Sequence, residues 1–132
     1  MRLVDATRSK NMSAVRSANT KPELYVRRRL HKAGYRFRLH RRDLPGRADL
    51  VLPRFRIAVL VHGCFWHGHS CEKGRTRPKT NAEFWEAKLD SNKRRDLANF
   101  AALMAAGWKP RILWECTLEQ DCASLIADLR AT

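Results

Sequence analysis

Within ten residues, His62-Gly-Cys-Phe-Trp-His-Gly-His-Ser-Cys71, the chain places two cysteines and three histidines directly after the apolar run Ile57-Ala-Val-Leu-Val61. A loop this dense in soft and borderline ligands either closes around a metal ion or combines reduced thiols with solvent-facing histidines. The N-terminal residues carry charge but no apolar h-region and no small-residue cleavage site, so the chain reads as cytosolic and its thiols as reduced rather than disulfide-bonded. Cys64, His69 and Cys71 can surround one ion from a compact loop, although their spacing fits no common zinc-finger pattern. A fourth ligand has to come from elsewhere. Cys116, at the end of an apolar run, is better placed than Cys122, whose neighbours put it inside a helix. A zinc with all four positions filled is structural, because hydrolytic zinc keeps one position open.

The rest of the chain alternates helix and strand patterns. Thr20-Lys-Pro-Glu23 reads as a capping box opening a helix to about Ala33, with Gly34 as its C′ residue and Leu24, Leu30 and Ala33 inward. Tyr35 to His40 alternates as a half-buried strand. Ala48–Leu52 and Ile57–Val61 are two more, and the three suggest an antiparallel ladder. Gly74 to Lys79 reads as exposed coil. Asn81 caps a short helix to Leu89, and a second helix from Asn92 to Ala106 places Leu97, Phe100, Ala101 and Met104 on one face. Trp108 to Glu115 is a strand with Pro110 near its start or on an edge, and a closing helix runs from about Leu118 to Leu129. The order αβββααβα describes an α/β fold, a mixed sheet with helices packed on it. Residues 1–19 are polar and basic with little periodicity, an arm expected to order on a ligand, and residues 20–132 form a single domain.

Charge points to the partner. Residues 1–71 hold sixteen Lys and Arg against four Asp and Glu, whereas residues 72–132 hold eleven against nine. A basic field concentrated in one half attracts polyanions, and a nucleic-acid backbone rewards it through counterion release. A membrane-surface helix would set its cations opposite a broad apolar face. Here Arg36, Arg38, Arg41, Arg42, Arg47, Arg54 and Arg56 scatter through strand and turn sequence instead. No apolar run nears the roughly eighteen residues of a membrane span.

Cutting a phosphodiester requires a nucleophilic water and relief of charge, for which a carboxylate-bound divalent ion serves well. Asp49 interrupts the apolar strand just after Pro45-Gly46, where a purely structural role is hard to assign beyond capping the turn. His62 and His67 flank the cysteine loop and suit proton transfer near neutrality. If a metal takes His69, His67 stays free. His31 and His40 read as surface residues, and by composition alone Glu23 and Asp96 are solvated or salt-bridged acids.

These residues, in order along nearly the whole chain, resemble the very-short-patch-repair mismatch endonucleases. The matching stretches are Thr7-Arg-Ser-Lys-Asn-Met12, Thr20-Lys-Pro-Glu23, Pro45-Gly-Arg-Ala-Asp49 and His62-Gly-Cys-Phe-Trp-His67 with His69 and Cys71. Glu83-Phe-Trp85, Arg95-Asp96 and Trp114-Glu-Cys116 complete them. The resemblance implies a restriction-endonuclease-like fold and a structural Zn²⁺ on Cys64, His69, Cys71 and Cys116. It further implies a catalytic Mg²⁺ on Asp49 and the main-chain carbonyl of Val61, with His67 as general base. Glu23, His62 and Asp96 would then support the metal waters and the scissile phosphate. Phe65, Trp66 and Trp85 match positions that wedge into DNA, which is easier beside a poorly stacked wobble pair. Trp108 and Trp114 are assigned to the core.

The implied activity is a nick 5′ to the thymine of a T·G mismatch left by deamination of 5-methylcytosine, in a context resembling CT(A/T)GG, opening a short repair patch. The implied partner is double-stranded DNA, met by a monomer because an asymmetric mismatch has no two-fold axis. The setting is the nucleoid in the cytoplasm, in company with repair-pathway proteins. The chain departs from the family at Val61, where a hydroxyl residue is frequent, and at Gly68 and Ser70, where histidines are denser. Two alternatives explain part of the pattern: a zinc-stabilised DNA-binding protein without catalysis, and a nuclease of the same fold with another specificity.

Overall fold

A computed structural model describes residues 20–39, 41–77 and 79–132. The expected N-terminal arm and His40 lie outside these residues. Helix α1 (Lys21–Lys32) starts where the Thr20 hydroxyl accepts the Glu23 N–H at 3.3 Å. It ends in a Schellman turn, with Gly34 at φ 89° and the Tyr35 N–H bonded to the Leu30 carbonyl. Its buried residues are Glu23, Val26 and Leu30, so the inward face carries an acid at its first turn instead of Leu24.

Strands β1 (Arg38–Leu39), β2 (Leu50–Leu52) and β3 (Ile57–His62) form the expected antiparallel ladder. The first is much shorter than its alternation suggested, because Tyr35 and Phe37 pack onto the core ahead of the two paired residues. Strand β4 (Lys109–Trp114) adds parallel to β3, completing a mixed sheet of order β1-β2-β3-β4. Pro110 sits opposite Ala58 on this edge strand, where its missing N–H is tolerated. A 3₁₀ turn (Glu115–Thr117) then leads into α4 (Leu118–Ala131).

Side-chain alternation assigns the sheet's two faces. Leu50, Leu52, Ile57, Val59 and Leu113 pack under α1 and α4 with Val26, Leu30, Cys122 and Leu125. Val51, Ala58 and Leu60 face the other way, onto Leu103 and Trp108. Asp49 and His62 share the parity of this second face.

Four further expectations are corrected. A single 24-residue helix, α3 (Ala82–Ala105), replaces the two short ones. Asp90-Ser-Asn92 contains no glycine or proline, and the Asn92 amide donates to the Trp66 carbonyl at 2.9 Å instead of capping a new helix. Asn81, in left-handed backbone, makes no side-chain cap. The inward face of α3 is Leu89, Asn92 and Leu103, while Leu97 and Met104 stand 72% and 58% exposed. Polar residues at helical spacing turn toward the sheet on α3 because they line a cleft. Glu72–Arg75 forms a short helix, α2, so the coil expected from Gly74 begins only at Thr76. There Gly74 is buried against the preceding loop: a Cβ on it would lie 2.0 Å from the His69 carbonyl oxygen.

Candidate active site and metal centre

The site gathers at the end of the sheet where β3 and β4 finish and β2 begins. The Asp49 N–H extends the ladder to the Val59 carbonyl (2.9 Å), and its carboxylate accepts the Val61 N–H at 2.6 Å. The acid of the Gly-Arg-Ala-Asp turn is thereby pinned beside the last residues of β3. His62 ends that strand on the α3 side and is 5% exposed. Burial, then the neighbouring charge of His67, lower its pKa to about 4, which leaves the ring neutral at physiological pH.

Beyond Gly63 the chain doubles back. The His67 and His69 N–H groups bond to the carbonyls of Gly63 and Cys64. This returns the His67 imidazole onto His62, with ring centroids 3.7 Å apart and planes 3° from parallel. His67 Nδ1 meets Asp96 Oδ2 at 2.6 Å, reaching across from α3. With an ionised Asp96, Nδ1 carries the proton and Nε2 keeps its lone pair.

Asp49, His62, His67 and Asp96 line one polar cleft of about 700 Å³. Asp49, Val61 and His67 also line an adjoining cleft of about 370 Å³ that reaches Glu23 on α1. Glu23 is 2% exposed and paired with Arg27. All five acid and imidazole candidates, from four separate stretches of the chain, therefore meet at this end of the sheet. Asp49 and His67 line both clefts.

Cys64, His69, Cys71 and Cys116 form a second cluster, their donor atoms all within 4.8 Å of one another. Cys116 arrives from the 3₁₀ turn after β4, its Sγ 3.5 Å from His69 Nδ1 and its N–H 3.3 Å from Cys64 Sγ. Cys122 is fully buried in the core, so the fourth position falls to Cys116. Burial raises the Cys64 thiol, whereas hydrogen bonds from His69 and the Gly74 N–H lower that of Cys71. Three thiolates and one imidazole fit a metal such as zinc in a closed tetrahedron, and the cluster can hold such an ion.

Trp114 belongs to this site and not to the core. It is half-buried, stacks on His69 at 4.0 Å and turns its face or edge to His62 at 5.1 Å, bridging the cysteine cluster and the histidine pair. Trp108 is buried as expected, under the guanidiniums of Arg41 and Arg56. Phe65, Trp66 and Trp85 make one half-buried aromatic cluster with centroids 5.1–5.8 Å apart. Phe84, 59% exposed and 5.4 Å from Trp85, extends it and was missed. Also missed was Glu115, which accepts the Cys64 N–H and pairs with Lys73 at 2.9 Å. A polar stripe at 92, 96 and 99 along α3 was the available signal for Asn92 and Asn99.

A family model described as DNA mismatch endonuclease Vsr matches residues 2–73. The chain belongs to the Vsr family. It is 50% identical over 119 residues to the type II nicking enzyme V.XorIIP of Xanthomonas oryzae pv. oryzae, covering 90% of this chain and 86% of that one. It is 42% identical to the type II nicking enzyme V.NmeAIP of Neisseria meningitidis (85% and 79% covered). With the DNA mismatch endonuclease Vsr of Escherichia coli K12 it shares 41% identity (86% and 72% covered). Vsr membership makes it a DNA endonuclease, and the mixed sheet flanked by helices is the restriction-endonuclease-like architecture the resemblance implied. Among the described residues no helix is long and apolar enough to cross a membrane.

Proposed function

We propose that this Vsr protein nicks one strand of duplex DNA 5′ to the thymine of a T·G mismatch arising from 5-methylcytosine deamination, in a Mg²⁺-dependent reaction. The observation that carries the reading is the meeting of Asp49 and the Asp96-braced His67 in one polar cleft. The mismatch endonuclease name of the Escherichia coli relative and the nicking-enzyme names of the others support it.

Asp49 and the Val61 carbonyl, neighbours at the strand end, offer the hard oxygen donors that Mg²⁺ prefers and would hold it. When bound, the ion neutralises phosphate charge and acidifies a water. His67 takes the proton from the attacking water at Nε2 while Asp96 holds Nδ1–H and stabilises the imidazolium that forms. The water oxygen bonds to phosphorus as the bond to the leaving oxygen breaks. His62, neutral and stacked on His67, fixes the ring's plane, and Glu23 borders the smaller cleft where metal waters would sit. Phe65 and Trp66, on a loop tied to α3 by Asn92, and Trp85, on α3 itself, wedge beside the wobble pair, and structural Zn²⁺ held by Cys64, His69, Cys71 and Cys116 would tether that loop. The protein acts as a monomer in the cytoplasm, at the nucleoid, handing its nick to repair-pathway proteins.

The test incubates duplexes holding T·G or C·G at one position with protein and Mg²⁺ and resolves the strands. Breaks confined to the T·G duplex are expected, with Asp49→Ala inactive yet folded. Cutting of both duplexes favours a same-fold nuclease of other specificity, a reading the relatives' nicking-enzyme names also fit. Binding without cleavage refutes the catalytic assignment.

A further inference from the structure

Three described residues other than glycine adopt left-handed backbone. Asn81 is of a type that tolerates it, and Arg56 has an evident reason. The Arg56 guanidinium donates to the carbonyls of Gly107 (3.1 Å) and Ala106 (3.3 Å) and lies over the Trp108 ring. Arg47, at φ 48°, has no such anchor: among the described residues no hydrogen bond or ion pair holds its guanidinium. A second glycine after Gly46 would make this turn with less strain. The side chain, not the turn, explains an arginine here. Gly46 is pressed against α3, where a Cβ would meet Asn99 Cβ at 3.1 Å, so the turn is seated firmly and presents Arg47 at the 700 Å³ cleft, two residues before Asp49.

Arg95 borders the same cleft from α3, next to Asp96 in sequence, and is likewise unpaired among the described residues. Among the described residues, the cleft is therefore lined by two unpaired cations from different elements, Arg47 from the Gly46 turn and Arg95 from α3, together with Asp49 and the His67–Asp96 pair. Two guanidiniums lining one cleft from different elements offer the forked donors that the phosphates of a single strand accept.

We infer that Arg47 and Arg95 form a two-sided phosphate clamp, an inference that rests on the nuclease reading above. Arg47, preorganised by its strained backbone, donates to a non-bridging oxygen of the scissile phosphate, where negative charge grows as water attacks and the leaving oxygen departs. Arg95 grips the adjacent phosphate of the same strand.

The test uses the full chain, with Arg47→Gly, Arg47→Lys and Arg95→Gln. Arg47→Gly removes the guanidinium and relaxes the backbone, so its thermal midpoint should stay level or rise while single-turnover nicking of the T·G duplex falls on the order of 100-fold. Arg47→Lys should recover part of that loss. Anisotropy titrations of the same duplex without Mg²⁺ should show the slope of log K against log salt falling by about 1 for Arg47→Gly and for Arg95→Gln. Nicking by Arg47→Gly within about threefold of the parent overturns the clamp, as do unchanged slopes. If the parent binds the duplex and cuts nothing, the proposed reaction fails, and the clamp is then judged on the slopes alone.

Discussion

Asp96→Asn isolates the part of the site that only a folded chain could assemble. Its carboxylate lies 2.6 Å from His67 Nδ1, with the two side chains 23% and 27% exposed. In the parent, the carboxylate fixes the proton on Nδ1 and offsets the positive charge that develops when Nε2 takes a proton. An amide at the same place keeps the shape, loses the charge and can turn its N–H₂ toward the ring, favouring the wrong tautomer. A hydrogen bond to a charged group contributes about 1.5–3 kcal/mol, and roughly 1.4 kcal/mol is a factor of ten in rate, so nicking should slow by about 10- to 150-fold. Stability should hardly change, since a partly exposed pair contributes about 0–1 kcal/mol. The assay is single-turnover nicking of a T·G duplex at saturating protein, with a thermal melt alongside. Nicking within about threefold of the parent and an unchanged melt would refute the base assignment of His67.

Four further outcomes follow from the same geometry. Cys116→Ser should lower bound zinc, measured by elemental analysis of the purified protein, whereas Cys122→Ser should leave the zinc content untouched because that thiol is core. Chelation should lower the thermal midpoint sharply, as structural zinc sites contribute on the order of 10 kcal/mol of apparent folding free energy; an unmoved melt would discount the cluster as a structural site. Gly74→Ala should destabilise the protein and weaken zinc retention together, since the new Cβ collides with the His69 backbone beside a ligand. In urea, Leu103→Ala should cost about 2–5 kcal/mol and Leu97→Ala under about 0.5 kcal/mol, and the reverse ranking would restore the face of α3 read from the sequence.

Local chemistry in the sequence determined a great deal. Thr20 and Gly34 bound α1 because caps act over a few residues, the β2–β3 ladder follows from apolar runs around a short turn, and Asp49 announced itself as a charge in an apolar strand. The ten-residue histidine and cysteine loop likewise carried three ligands of the metal centre in its own composition. What the tertiary structure decided concerns groups brought together across long separations. Asp96 reaches His67 from a helix 29 residues on, and Cys116 closes the cluster because parallel pairing of β4 with β3 delivers it there. Trp114 leaves the core because that same register sets it opposite His62. Periodicity fails on α3 for a physical reason: it assumes that the inward face is apolar. A helix that lines a polar cleft turns asparagine and aspartate inward and leaves Leu97 and Met104 in solvent.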